Sequence, residues 1–167
     1  YLKIAAEGYD VPRKCVFFPL MPLAVKITSL IIRDYAWAGI LISNIFCFAG
    51  ALYFYNLIKD SHGQKAAVIS LVLFLAAPTA LFYSNLYAEA LFFMLSVMVF
   101  YFARKKQWLA AAIAAGFASA ARNYGVLLVI PLLWEYFAGE RTGKNNIIKA
   151  AGLALVSVFG LLVYAAF

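Results

Sequence analysis

APTALFYSNLYAEAL, residues 77–91, joins two apolar segments around Pro78 and brings in Glu89, the only acid of its neighbourhood. Lys65 and Glu89 bracket 23 residues without a charge, enough for one membrane span of ~20 residues. Pro78 and the cluster Tyr83-Ser84-Asn85 nevertheless predict two helices rather than one. Proline removes a backbone donor, and Ser and Asn offer the backbone non-helical hydrogen bonds. In hydrocarbon such a break is tolerated only where protein or a water-filled cavity covers it. The stretch therefore predicts a polar pocket at one membrane face, lined by Tyr83, Asn85, Tyr87 and Glu89.

Composition sets the class. The chain is 66% hydrophobic and 13% charged, with a mean hydropathy of +0.90. Soluble domains hold about 45–50% apolar and about 25% charged residues. The expected fold is an all-α, polytopic integral membrane bundle of short, broken helices. A net charge of +7 invites a nucleic-acid reading, but short cytoplasmic loops of membrane proteins collect Lys and Arg, and no nucleic-acid partner is expected. Cys15 and Cys47 form no disulfide framework, and His62 stands in a loop without the partners a transition-metal site needs. No metal ligand is assigned, and dependence on a divalent metal stays open. The sequence begins Tyr1-Leu2-Lys3-Ile4, without an initiator methionine or signal peptide, and stops inside an apolar run. It is expected to be an internal fragment.

Residues 1–34 mix charge with Pro12, Pro19 and Pro22, which suits an extracytoplasmic loop with an interfacial helix after Pro22. That helix places Leu23, Ile27, Leu30 and Ile31 on one face, with Lys26 and Arg33 elsewhere. Residues 35–167 are expected to form a transmembrane bundle with spans near 35–58, 66–81, 86–103, 107–121, 124–137 and 147–167. Tyr35–Ile58 is the clearest, 24 residues without a charge between Asp34 and Lys59. KDSHGQK, residues 59–65, reads as a short polar turn that sends the next helix back antiparallel, and Pro131 is expected to kink its span. Ala112, Gly116 and Ala120 recur four apart; such spacing lets helix backbones approach closely in membranes, though a generic alanine-rich helix has the same composition.

Loop charge chooses the orientation. With 59–65 in the cytoplasm, Lys59, Lys65, Arg104, Lys105, Lys106, Arg141, Lys144 and Lys149 all lie inside. The outer face then collects Glu7, Asp10, Lys14, Tyr83, Asn85, Tyr87, Glu89, Arg122 and Asn123. Carboxylates that accept a proton beside cations that hold a phosphate are what transfer from a lipid-phosphate donor requires. A carboxylate in the first turn of a helix, as at Glu89, is equally what the helix dipole favours.

Four segments in order, YLKIAAEGYD (1–10), FFPLMP (17–22), APTALFYSNLYAEALF (77–92) and ARNYGVLLVIPLL (121–133), resemble the PIG-V type of mannosyltransferase. That family includes the second mannosyltransferase of GPI-anchor assembly and bacterial relatives, within the GT-C superfamily. The resemblance covers about residues 1–133 and lies in the ordered combination rather than in any one motif. It implies a polyprenyl- or dolichyl-phosphate-linked sugar as donor, usually mannose, and a glycan or glycolipid acceptor. Transfer would take place on the extracytoplasmic face of a prokaryotic plasma membrane or of the endoplasmic reticulum. No separate cofactor is implied.

The resemblance also implies a catalytic acid in a Trp-Asp pair immediately before Tyr1, outside this sequence. The catalytic residue is therefore unknown, with Glu7, Asp10 and Glu89 as weaker candidates inside the chain. The substrate-binding candidates are Tyr83, Asn85, Tyr87, Glu89, Arg122, Asn123 and Lys14. Alanine before Arg122 departs from the Thr-Arg pattern of the relatives. Two other classes stay open, a transporter with broken helices, which should repeat its interruptions in two halves, and a non-catalytic membrane subunit.

The orientation has a direct test. In a chain lacking Cys15 and Cys47, cysteines introduced as His62→Cys and Asn85→Cys should be labelled by an impermeant maleimide from opposite sides of the membrane. Labelling of both from one side would refute it.

Overall fold

A computed structural model describes residues 1–7, 18–139 and 144–165, which are mostly helical, without strands among the described residues. The chain divides into two units, Tyr1–Met94 and Leu95–Phe167. By length and composition two helices can cross a membrane, Tyr35–His62 and Asn145–Val163, with a third span if one bent pair is counted together.

The first unit begins with α1 (Leu2–Glu7) and α2 (Leu20–Ile32). Helix α2 starts before Pro22 rather than after it, because proline in the first turn gives up an amide that has no helical partner there. The expected apolar stripe of Leu23, Ile27, Leu30 and Ile31 points outward, between 53% and 84% exposed, while Met21, Pro22 and Val25 pack inside. Arg33 ends α2 in the left-handed region at φ 60°, its amide donating to the Ser29 carbonyl. Asp34 then caps α3 (Tyr35–His62) by accepting from the Trp37 amide at 2.9 Å.

Helix α3 runs through most of the turn expected at 59–65, since Lys59, Asp60, Ser61 and His62 all continue it. The reversal falls on Gly63 alone, at φ 85°, where a side chain would be strained. Helix α4 (Gln64–Ala76) follows at once. Phe54 and Phe74, about equally far from Gly63, meet at 5.9 Å between ring centroids, which makes α3 and α4 an antiparallel pair.

Helix α4 stops at Ala76, earlier than the expected residue 81, because Pro78 opens a separate 3-10 turn, Pro78–Ala80, followed by α5 (Leu81–Ser84). The axis bends by 72° between Gln64–Ala76 and Pro78–Ser84. The break that the sequence predicts at Pro78 is thus present. After residues 85–88, α6 (Glu89–Arg104) begins, and the boundary between the units falls within it.

In the second unit, α7 (Trp108–Ala121), a 3-10 segment (Asn123–Leu128), α8 (Val129–Gly139) and α9 (Lys144–Ala165) follow the end of α6. At 1.5 Å per residue, α6, α7 and α8 are about 24, 21 and 17 Å long, short of a hydrocarbon core of about 30 Å. Pro131 does not kink its helix. It is the third residue of α8, in the first turn, and the irregular backbone lies before it in the 3-10 segment.

Helix α7 turns its small residues inward and its large ones outward. Ala111, Ala112, Ala114, Ala115, Gly116, Ala118, Ser119 and Ala121 are buried, whereas Leu109, Ile113 and Phe117 are exposed, as lipid-facing positions would be. Against this face α9 packs in parallel, backbone to backbone. A Cβ on Gly116 would lie 2.6 Å from the Val156 carbonyl oxygen, and one on Gly160 would meet the Ala120 amide at 2.6 Å. The fourfold spacing of Ala112, Gly116 and Ala120 is therefore a packing surface. Buried Ser119 and Ser157 donate within their own helices, to Gly116 at 2.7 Å and Leu153 at 2.8 Å, so neither hydroxyl opposes the contact.

Gly152 and Gly160 lie on the same helix, but only the second faces a backbone. Gly160→Ala should lower the melting temperature of detergent-solubilised protein, with overpacking costing about 1–3 kcal/mol. Gly152→Ala should hold or raise it, by about 0.5–1 kcal/mol of helix propensity. Equal shifts in one direction would show that the contact does not hold α7 to α9.

Candidate functional site

The candidate residues fall into two groups, one in each unit. Asp10 and Lys14 lie outside the described residues; Glu7 closes α1, with its side chain likewise outside the description. In the first unit, Tyr83 on α5, Asn85 and Tyr87 after it and Glu89 at the start of α6 surround the break between those helices. Arg122 and Asn123 form the corner after α7 in the second.

The first group is held by α3 and by aromatic packing. The Asn44 carboxamide on α3 donates to the Ser84 carbonyl at 3.3 Å and to its own Ile40 carbonyl at 2.7 Å. Leu86 fills the space left where Gly39 has no side chain. Asn85 donates back to the Leu81 carbonyl at 2.8 Å, and its own carbonyl accepts from the Tyr87 amide at 2.7 Å, which closes the turn. Tyr87, half exposed, meets Phe82 edge-on at 5.4 Å.

Tyr83 is set differently. Its ring packs on Phe74 at 4.9 Å and on Phe93 at 5.4 Å, beside Phe54. The ring is part of a core, so its hydroxyl is what it offers to chemistry. That hydroxyl lies within electrostatic reach of the Cys47 thiol and the Glu89 carboxylate. Tyr83 on α5 and Glu89 at the start of α6 thus flank the same break. Glu89, half-buried in the first turn of α6, also matches the positive end of the helix dipole.

The second group is set by a tight corner. Arg122 closes α7 in extended backbone, φ −153° and ψ 147°, with its amide on the Ala118 carbonyl and its carbonyl accepting from the Gly125 amide at 2.9 Å. Gly125 is buried against the Ala118 carbonyl, where a Cβ would collide with main chain. Glycine at 125 is therefore a steric requirement for folding the 3-10 segment back on α7. Asn123 spends its carboxamide oxygen on the Tyr124 amide at 2.9 Å, leaving donors as its means of holding a ligand. Arg122 is half-buried, and a cation at a helix C-terminus is favoured by the dipole.

Sequence reasoning missed Phe54, Phe74 and Phe93. Single phenylalanines in apolar helices carry no local sign of a cluster assembled from three elements. Among the described residues, no three His, Cys, Asp or Glu side chains gather in a metal-ligating group.

A family model described as dolichyl-phosphate-mannose-protein mannosyltransferase matches residues 10–167. No curated protein and no solved structure matches the chain significantly.

The double role of Tyr83 separates by substitution. Tyr83→Phe should keep thermal stability, whereas Tyr83→Ala should cost about 1–3 kcal/mol through two lost aromatic pairs. A stability loss in Tyr83→Phe equal to that in Tyr83→Ala would place the structural role in the hydroxyl.

Proposed function

The chain belongs to the dolichyl-phosphate-mannose-protein mannosyltransferase family, membrane glycosyltransferases of the GT-C kind, and we propose that it transfers mannose from a polyprenyl- or dolichyl-phosphate donor to an acceptor hydroxyl. The acceptor is a glycan or glycolipid, and transfer occurs on the extracytoplasmic face. Family membership replaces the transporter and the non-catalytic subunit as readings of the broken helices. The four ordered segments from 1 to 133 support a PIG-V-like acceptor within the superfamily.

The observation that carries this reading is the placing of Arg122. It sits half-buried at the end of a helix of about 21 Å, shorter than the hydrocarbon core. An arginine at membrane depth costs about 2.5–3.5 kcal/mol on insertion scales, so it persists by snorkelling or by serving a polar cavity. The rigid corner at Asn123–Gly125 favours the second, because it fixes where the guanidinium starts. A guanidinium holds a phosphate through two parallel hydrogen bonds, as an ammonium does not.

In the reaction the acceptor oxygen attacks the anomeric carbon and the bond from that carbon to the phosphate oxygen breaks. The lipid phosphate leaves with an added negative charge, and Arg122 stabilises it there. The acceptor proton passes to a carboxylate acting as general base. The acid implied before Tyr1 by the family resemblance is the leading base.

In the full-length enzyme, Arg122→Ala should lower transfer by about 10²-fold or more. Arg122→Lys should lower it by at least about tenfold, with folded protein still in the membrane. Near-normal donor affinity and rate in Arg122→Lys would make the arginine a membrane anchor.

A further inference from the structure

The second unit holds an open groove of about 390 Å³, lined by Trp108, Leu109, Tyr136, Lys149, Leu153 and Val156. The groove exists because Gly152 adds no side chain to this wall, and nothing lies within 4 Å of the position its Cβ would take. Trp108 and Tyr136 meet edge-on at 5.2 Å at its side. Arg122 and the Gly116–Gly160 contact lie further along α7, toward the opposite end of that helix.

Three features of this groove select an occupant. Its walls are apolar, and its volume is in the range of small-ligand sites, about 300–1,000 Å³. Its one charged lining residue, Lys149, is cationic and exposed. It opens where α7 begins and α8 ends, directly after the basic run Arg104-Lys105-Lys106, with a Trp and a Tyr of the kind that mark a membrane interface. Two cations of that run are already engaged: Arg104 stands 3.8 Å from Glu135, and Lys105 lies over the Tyr101 ring. Lys149 is therefore the charge that belongs to the groove itself. Basic pockets between membrane helices hold the headgroups of anionic lipids.

We propose that this groove is a site for an anionic phospholipid of the surrounding bilayer, with its phosphate against Lys149 and an acyl chain on the wall opened by Gly152. The site stands apart from the transfer chemistry, and its test reads binding rather than activity.

The test uses the full-length protein with Trp108 as its only tryptophan, every other one replaced by phenylalanine, in phosphatidylcholine vesicles. A small fraction of bromine-labelled phosphatidylglycerol, or the same fraction of bromine-labelled phosphatidylcholine, quenches tryptophan on contact. The anionic lipid should occupy the groove with a preference of about fivefold over the neutral one. Lys149→Gln should abolish that preference while quenching by labelled phosphatidylcholine continues, and Gly152→Leu should abolish it by filling the groove. A chain retaining only Trp134, which is 78% exposed, should show no headgroup preference.

Equal quenching of Trp108 by the two lipids would overturn the proposal, as would a preference that survives Lys149→Gln. Displacement of the labelled phosphatidylglycerol by one equivalent of polyprenyl phosphate would also overturn it, by giving the groove to the donor. Should Lys149→Gln fail to insert, Gly152→Leu decides: loss of the preference supports the site and its persistence refutes it.

Discussion

Two helix backbones meet without side chains between them at Gly116 and Gly160, and the second unit is arranged around that contact. In lipid, apolar helices gain nothing by hiding oily surface from one another, because the surroundings are as oily as the partner. What holds them is close atomic contact, and only small residues permit it. Helix α7 is accordingly almost an inversion of a soluble helix, with alanine and glycine inside and Leu109, Ile113 and Phe117 outside. The same economy of side chains recurs at Gly125, which lets the 3-10 segment fold onto the last turn of α7 and fixes the backbone at Arg122.

The polar residues that invite a chemical reading stand where helices break. Asn85 and Tyr87 lie between α5 and α6, Glu89 opens α6, and Arg122 closes α7. A membrane helix satisfies its own backbone, whereas a break frees donors and acceptors that must be answered by side chains. Asn44, Asn85 and Asn123 do this, each bonding to nearby main chain. The elements that make the breaks tolerable are thus also the ones that carry the polar candidates for the proposed transfer.

The all-helical membrane class, the α3 span, the break at Pro78 and the packing stripe of α7 were legible because each follows from local chemistry: uncharged length, a missing amide, small residues at helical spacing. What escaped depends on neighbours. KDSHGQK reads as a loop by polarity, yet its first four residues form helix as readily as they form turn, and only Gly63 has the backbone freedom to reverse the chain. Pro131 reads as a kink until its distance from the start of α8 is known. Leu23, Ile27, Leu30 and Ile31 share an outward face, which an interfacial helix can present; what periodicity does not give is that Met21, Pro22 and Val25 pack inside. Of the candidate site, the helix break that carries Tyr83 and Glu89 was legible, whereas the rings around Tyr83 come from α4, α6 and α3 and leave no trace in local pattern.

The 72° bend at Pro78 carries a kinetic meaning for a chain of this family. A short helix turned so far from the direction of its predecessor forms a ledge rather than a column, and a ledge at membrane depth is approached sideways. The lipid-linked donor proposed above would reach it by diffusing within the bilayer plane, its tail remaining in the hydrocarbon. Its effective concentration is then its mole fraction among the lipids, not its amount per litre. The proposed transfer would then obey surface kinetics: adding inert lipid or detergent would dilute the substrate and slow the reaction, even with the bulk concentrations of enzyme and substrate unchanged.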